Sequence, residues 1–207
     1  MKVSVHHLRV WGKPLIFLLS LVPALWLVYH WYLAYGGLPH DLGFNPNETS
    51  NRFTGDWAIR FLLLSLAVTP FATVLRSPKP LLFRRMLGLY ALFYAGLHVL
   101  SYIWLDMAFD WPELWADVLK RTYITVGMLA ILFLLPLGVT STKGWIKRMG
   151  AKRWQKLHKL VYLIGLLACV HFIMMRKGFQ VEPLIYAGIF AALMLARLRK
   201  RRGKVRA

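Results

Sequence analysis

Acidic residues and cysteine are scarce in this chain of 207 residues, which has eight Asp and Glu against 27 Lys and Arg, and one cysteine. The single cysteine, Cys169, excludes a disulfide within the chain, so thiols do not indicate a redox compartment. No CxxC or CxxCH motif is present, which argues against a zinc ribbon and against a covalently attached c-type cofactor. GxGxxG after a strand pattern and GxxxxGK[ST] are also missing, and no room is left for a soluble nucleotide-binding domain. Any chemistry must therefore lie among the apolar segments.

Hydrophobic residues make up 58% of the chain, more than a soluble domain of this length could bury in one core. Stretches long enough to cross roughly 30 Å of hydrocarbon recur six times, at about 14–34, 56–75, 81–104, 119–140, 157–175 and 182–198. The first is longer than a signal-peptide core and is followed by no small-residue cleavage pattern, so we interpret it as a retained span. The sequence predicts an all-α protein, a single-domain bundle of six transmembrane helices over residues 1–207.

The formal net charge of +19 is distributed unevenly along the chain. In a six-span alternation all eight acids fall on one side, namely Asp41, Glu48, Asp56, Asp106, Asp110, Glu113, Asp117 and Glu182. The basic clusters fall on the other side, namely Lys2, Arg9, Lys13, Arg76, Lys79, Arg84, Arg85 and the segments 143–159 and 197–206. By the positive-inside rule both termini are cytoplasmic and the acidic loops face outward. Topology and anionic lipid headgroups account for these charges, so no nucleic-acid partner is predicted.

Three of the seven histidines, His98, His158 and His171, lie inside or at the edge of apolar spans. An ionisable side chain at membrane depth is costly, which marks it as a functional candidate, and imidazole is a common ligand of haem iron. His98 lies eight residues before Asp106 and His171 five before Arg176, so both belong to the outer half of the bundle. His158 lies roughly 20 Å deeper, at the cytoplasmic edge. This depth estimate pairs His98 with His171 across the bundle as the axial ligands of one haem b.

His158 has no evident mate, because Arg84 and Arg85 occupy the positions fourteen and thirteen residues before His98. Thirteen residues at about 100° each leave His158 and His171 some 140° apart around an ideal helix. Either this helix carries a bulge, or the two histidines do not face one shared cofactor channel. We therefore predict one haem at His98 and His171, and we leave open a second redox site in which His158 is the candidate haem ligand.

Small and basic residues near these histidines suit a haem, although each has a simpler explanation. Gly96 and Gly165 would let a porphyrin approach closely, but helix packing is a sufficient reason for both. Arg60, Arg176 and Lys177 lie near the outer ends of their spans, where haem propionates need cations. Snorkelling of these side chains to the headgroups explains them equally well.

Four segments carry a resemblance to a known family. RRMLGLYALFYAGLHVLSYIW (84–104), KRWQKLHKLVYLIGLLACVH (152–171), PLIYAG (183–188) and TGDWAIRFLLLSLAVTP (54–70) closely resemble the MsrQ/YedZ family. Its members are the haem-binding membrane subunits of bacterial periplasmic protein-methionine-sulfoxide reductase systems. More distantly, the third and fifth helices resemble the ferric-reductase-type membrane domain of NADPH oxidases. That pattern has two histidines on each helix, and Arg84 and Arg85 break it on the third.

The resemblance implies a multi-pass electron-transfer subunit of the bacterial inner membrane with no catalytic residues of its own. It would take electrons from the quinone pool or a cytoplasmic flavin reductase. It would pass them to a separate periplasmic molybdenum-cofactor subunit that reduces methionine sulfoxide in oxidised proteins. His98, His158 and His171 match the haem-associated histidines of the family. FMN is also implied by the resemblance, but no residue here matches a flavin site.

Two alternatives stay open at this point. In the first, the chain is a ferric-reductase-like transmembrane oxidoreductase that acts on metal ions or oxygen at the outer face. In the second, it is a non-redox small transporter or assembly factor whose histidines are packed core or proton-relay groups. The absence of paired intramembrane carboxylates and of an inverted-repeat signal argues against the second.

Overall fold

A computed structural model describes residues 4–176, 178 and 180–205, with side chains described up to residue 198. The described residues form helices, turns and loops and no β-strand. Within this described part of the chain, six helices are long and apolar enough to cross a membrane. We name them spans 1 to 6: Val5–Tyr35, Pro46–Val74, Leu81–Asp106, Thr122–Val139, Ala151–Met175 and Val181–Leu198. The predicted all-α, six-helix membrane bundle is thereby confirmed.

Span 2 begins at Pro46 rather than near residue 56, where its apolar stretch starts. The Asn45 side chain accepts a hydrogen bond from the Glu48 backbone N–H (3.3 Å), and Pro46 occupies the first turn, where its missing N–H costs nothing. The helix therefore extends outward through residues 46–55, which sequence reasoning assigned to a loop. This extension carries residues of the candidate site.

Other helix boundaries also differ from a simple count of apolar residues. Span 3 is α-helical over Leu81–Ser101 and continues as a π-helical turn over Tyr102–Asp106. The connection between spans 3 and 4 contains a helix, Trp111–Lys120, which we call the loop helix. Span 5 consists of two helices, Ala151–Leu157 and Leu160–Met175, separated by a turn at residues 158–159. The fifth span is thus interrupted at His158.

Span 2 lies at the centre of the bundle and contacts spans 1, 3, 5 and 6. One buried cluster joins spans 2 to 5, and in it Phe61 stacks on Tyr94 with ring centroids 5.3 Å apart. The Tyr94 hydroxyl also inserts into span 1, where it donates to the Ser20 carbonyl (2.7 Å) and accepts from the Ala24 N–H (3.1 Å). These two groups would bond each other in a regular helical turn. Tyr94 therefore fixes span 1 against span 3.

The two ends of the bundle differ in charge. One end carries loop 36–45, the loop helix and the start of span 6, and we call it the acidic end. We call the opposite end the basic end. All ion pairs between described side chains lie at the acidic end, for instance Arg121 with Asp117 (2.7 Å) and Arg176 with Glu182 (3.3 Å). The basic end carries loop 75–80 and segment 140–150. The charge asymmetry read from the sequence is thus a property of the folded chain.

Candidate functional site

His98 on span 3 and His171 on span 5 face each other inside the bundle, with ring centroids 6.1 Å apart and ring planes at 73°. The Nδ1 of His98 donates to the Asn51 carbonyl (2.9 Å), and the Nδ1 of His171 donates to the Tyr123 carbonyl (2.6 Å). Because a carbonyl only accepts, both rings carry their proton on Nδ1 and keep an unprotonated Nε2. No described residue supplies a hydrogen-bond partner for either Nε2. The arrangement leaves two imidazole nitrogens ready to bind a metal ion.

The same local arrangement occurs on both sides of the pair. Gly55 lies one helical turn after Asn51 on span 2, and Gly127 lies one turn after Tyr123 on span 4. A β-carbon at Gly55 would stand 3.1 Å from the His98 ring, and one at Gly127 would stand 2.8 Å from the His171 ring. Each imidazole thus rests on a helix that supplies a carbonyl acceptor and, one turn further, a glycine that makes room for the ring.

Asn51 holds span 3 with its side chain as well as with its carbonyl. Its amide nitrogen donates to the His98 carbonyl (3.3 Å) and to the Ser101 hydroxyl oxygen (3.2 Å). The Ser101 hydroxyl in turn donates to the His98 carbonyl (2.8 Å). The backbone and the ring of His98 are therefore both fixed from span 2. Such second partners orient a ligand and raise its basicity.

A cavity of about 500 Å³ surrounds the two imidazoles, within the usual size range of ligand sites. Much of its wall consists of small residues from four spans, namely Gly55, Ala58, Ala91, Ala95, Gly127, Ala130 and Ala168. Two imidazole nitrogens each about 2 Å from one metal ion would place the ring centroids a little over 6 Å apart, close to the observed 6.1 Å. The residues present thus fit a flat tetrapyrrole whose iron is held by His98 and His171.

His158 lies outside this cavity. The Thr140 hydroxyl donates to the Pro136 carbonyl (2.6 Å), so the contact between Thr140 Oγ1 and His158 Nε2 (3.2 Å) has His158 as its donor. Its ring packs against Trp154, with centroids 3.9 Å apart. The 140° between His158 and His171 on an ideal helix left two alternatives, an irregular helix or two histidines that face different spaces. Both apply: the helix is interrupted at residues 158–159, and His158 faces span 4 rather than the space between His98 and His171.

The two glycines singled out in the sequence do not touch the cavity. A β-carbon at Gly165 would stand 2.4 Å from the ring of Phe190 on span 6, so this glycine serves helix packing. A β-carbon at Gly96 would meet nothing within 4 Å. The simpler explanation, helix packing, therefore applies to Gly165, and the glycines that face the imidazoles are Gly55 and Gly127.

The basic residues proposed for propionates are engaged elsewhere. Arg60 donates to the Tyr186 hydroxyl (2.7 Å) and lies over the Trp57 ring, and Arg176 pairs with Glu182. Neither arginine lines the cavity. Lys177 lies outside the described residues.

Sequence reasoning found the two imidazoles but missed the groups that hold them. The Asn51 and Tyr123 carbonyls carry no sequence signal, because every residue has one. Gly127 was visible as a glycine inside a long apolar helix, where glycine is unfavourable without a packing reason. Gly55 gave no such signal, because its segment was assigned to a loop, where glycine is common.

Comparison with known proteins agrees with this architecture. Residues 54–169 match the family described as the ferric reductase like transmembrane component. The protein-methionine-sulfoxide reductase heme-binding subunit MsrQ of Rhodospirillum rubrum is 49% identical over 187 residues, which is 90% of this chain and 87% of that protein. The MsrQ proteins of Caulobacter vibrioides and Polaromonas naphthalenivorans are 44% and 49% identical, over 89% and 88% of this chain and 85% and 82% of their own lengths. The chain belongs to the MsrQ family of ferric-reductase-like transmembrane proteins.

Proposed function

We propose that this chain is the haem b electron-transfer subunit of a protein-methionine-sulfoxide reductase system, with His98 and His171 as the axial ligands of the haem iron. The observation that carries the proposal is the pair of opposed imidazoles, each with its proton fixed on Nδ1 and its Nε2 free in a cavity of about 500 Å³. The relatives named heme-binding subunits support it. No residue of the chain is assigned a catalytic role.

A b-type haem held there would supply one-electron chemistry between ferric and ferrous iron. Iron held by both imidazoles would have no open coordination position, which favours electron transfer over oxygen binding. The carbonyls of Asn51 and Tyr123 keep both rings in the ligating tautomer and orientation. The alanine and aliphatic side chains of the wall would give the haem an apolar surrounding on most sides, which influences the reduction potential.

The acidic end is proposed to face the periplasm of a bacterium and the basic end the cytoplasm, in accordance with the positive-inside rule. The cavity reaches the acidic end, where Arg52, Asp106 and Arg121 line it. An electron acceptor at this end would therefore meet the chain close to the two histidines. We propose the periplasmic molybdenum-cofactor subunit as that acceptor, and the quinone pool or a cytoplasmic flavin reductase as the donor.

A second haem at His158 stays a prediction of the sequence. It would require His158 Nε2 to leave Thr140 and lose its proton, because the ring now donates there. FMN likewise rests on family resemblance, and no residue is assigned to it.

The first experiment is a reduced-minus-oxidised visible spectrum of the detergent-purified full chain, with haem quantified as the pyridine haemochrome. A low-spin b-type spectrum at about one haem per chain supports the His98 and His171 site. Close to two haems per chain would support a second site. A chain that binds no haem, even when haem is supplied during expression, would contradict the proposal.

The second experiment separates this function from a ferric reductase. Membranes that contain the chain, with and without the molybdenum subunit, are supplied with quinol and assayed for reduction of methionine sulfoxide and of ferric chelates. We expect methionine-sulfoxide reduction that needs both subunits and is lost in His171→Ala, while His6→Ala, an exposed histidine, retains it. Ferric reduction independent of the partner would favour the alternative.

A further inference from the structure

The cavity is polar only at one end. Its charged lining residues lie level with the two imidazoles or between them and the acidic end, namely Glu48, Arg52, Asp56, Asp106 and Arg121. Toward the basic end the lining residues are apolar, among them Leu62, Ala91, Leu134 and Ile164. A flat ligand with two carboxylates on one edge would pay a large desolvation cost if that edge pointed toward the basic end. Its charged edge must therefore point toward the acidic end, where the cavity has a mouth.

Arg121 is fixed at one side of this mouth. Its Nε donates to Asp117 (2.7 Å), whose carboxylate also accepts from the Tyr102 hydroxyl (2.7 Å), and its Nη1 donates to the Tyr123 hydroxyl (3.2 Å). No described residue supplies a partner for Nη2, and the Arg121 side chain is 54% exposed. Arg121 is therefore held in place with a donor still available. Because the Tyr123 carbonyl accepts from His171, the same short segment positions the axial ligand and the guanidinium.

Arg52 lies on the other side of the mouth, directly after Asn51, whose carbonyl accepts from His98. It pairs with Glu48, four residues earlier on the same helix, and the two side chains are 46% and 50% exposed. An exposed ion pair of this kind contributes little to stability, because solvent screens both charges. Arg52 can therefore exchange Glu48 for another carboxylate at little cost, and a planar guanidinium suits bidentate binding of a carboxylate.

We propose that Arg52 and Arg121 bind the two propionate carboxylates of the haem, one from each side of the cavity mouth. This inference rests on the proposed function and adds the orientation of the ligand within the cavity. Arg60 and Arg176 are not propionate ligands in this proposal. Arg60 donates to Tyr186, Arg176 pairs with Glu182, and neither arginine lines the cavity.

Acidic side chains at the mouth oppose the binding of propionate carboxylates by Arg52 and Arg121. Asp56 lies within electrostatic reach of Glu182 and of three arginines, namely Arg52, Arg60 and Arg176. Asp106 lies near Glu48 and has no basic partner among the described residues. Its carboxylate would repel a propionate, so removal of this charge should strengthen binding of the charged ligand alone.

The test compares haemin with haemin dimethyl ester, in which both carboxylates are neutral. Haem-free full chain in detergent is titrated with each, and the dissociation constants are measured by absorbance. We expect wild type to prefer haemin at least about tenfold, or about 1.4 kcal/mol. The double variant Arg52→Gln with Arg121→Gln should lose this preference yet bind the ester as tightly as wild type does, which reports an intact cavity. Lys120→Gln changes an exposed cation at the same end that does not line the cavity, so this matched control should keep the preference, and Asp106→Asn should increase it.

Equal affinity of wild type for the two ligands, with a low-spin spectrum in both cases, would overturn the propionate role and leave the proposed function standing. A double variant that keeps the full preference would overturn it as well. If the double variant binds neither ligand, Arg52→Lys with Arg121→Lys decides, because a retained charge should restore the preference for haemin. Failure of wild type to bind either ligand would instead contradict the haem function itself.

Discussion

Gly127 lies directly against the imidazole of His171: a β-carbon at this position would stand 2.8 Å from both Cε1 and Nδ1 of the ring. Real side chains do not tolerate such a contact, so the ring and span 4 could not keep their separation. The Tyr123 carbonyl, one turn earlier, accepts from the same Nδ1 at 2.6 Å. The absent side chain at Gly127 is therefore what allows the hydrogen bond at Tyr123 to form.

The variant Gly127→Ala should weaken haem binding while the bundle stays folded. Overpacking of this kind costs about 1–3 kcal/mol, and movement of the ring would break the bond to Tyr123. We expect haem affinity to fall roughly tenfold or more, measured by haem titration of the purified chain. Gly96→Ala is the matched control, because its β-carbon would meet nothing within 4 Å. Equal haem loss in the two variants would contradict the role of Gly127.

Alanine substitution of the three membrane histidines should divide them into two classes. His98→Ala and His171→Ala each remove an axial ligand and should abolish most haem binding. His158→Ala removes a donor to Thr140 outside the cavity and should leave the haem at His98 and His171 largely in place. The measurement is haem per chain together with the low-spin spectrum. An equal loss in all three would contradict the pairing.

The Asn51 side chain should influence the haem without being needed for its binding. Asn51→Ala keeps the carbonyl that accepts from His98 but removes the amide bonds to the His98 carbonyl and Ser101. We expect a shifted midpoint potential in a redox titration and faster haem loss. Asn47→Ala is the matched control, since Asn47 also donates to a span 3 carbonyl, that of Leu105 (2.8 Å). An unchanged midpoint potential of the haem in Asn51→Ala would indicate that the amide bonds of Asn51 are purely structural.

Tyr94→Phe should lower stability rather than activity. The substitution removes a hydroxyl that bridges Ser20 and Ala24, although these two groups can then bond each other within span 1. We expect a loss of about 1 kcal/mol, seen as a lower thermal midpoint in detergent with the haem spectrum unchanged. The control Tyr29→Phe changes a tyrosine that is 56% exposed and should have no effect. An altered haem spectrum in Tyr94→Phe would place this residue closer to the site than the structure does.

Gly165→Ala should loosen span 6, because its β-carbon would stand 2.4 Å from the ring of Phe190. A smaller partner should relieve the clash, so we expect Phe190→Ala to restore part of the thermal stability lost in Gly165→Ala. Haem per chain should change little in either variant, since neither residue lines the cavity. A haem loss in Gly165→Ala that Phe190→Ala does not repair would revive a cofactor role for this glycine.

The amino-acid sequence alone predicts the six spans, the separation of charge between the two ends and the depth of the three histidines in the spans. These properties depend on apolar length, loop charge and a rise of 1.5 Å per residue, all of which are local. They were sufficient to pair His98 with His171 and to separate His158 from them.

The surroundings of the two imidazoles depend instead on how the helices pack against one another. Three features depend on which helix faces which: the Asn51 and Tyr123 carbonyls, the space above Gly55 and Gly127, and the presence of Arg52 and Arg121 in the cavity wall. In a membrane every span is apolar on most sides, so hydropathy does not reveal the facing surfaces. Hydropathy also does not reveal the polar start of span 2, which was assigned to a loop. This helix begins at a cap formed by Asn45, not where the apolar residues begin.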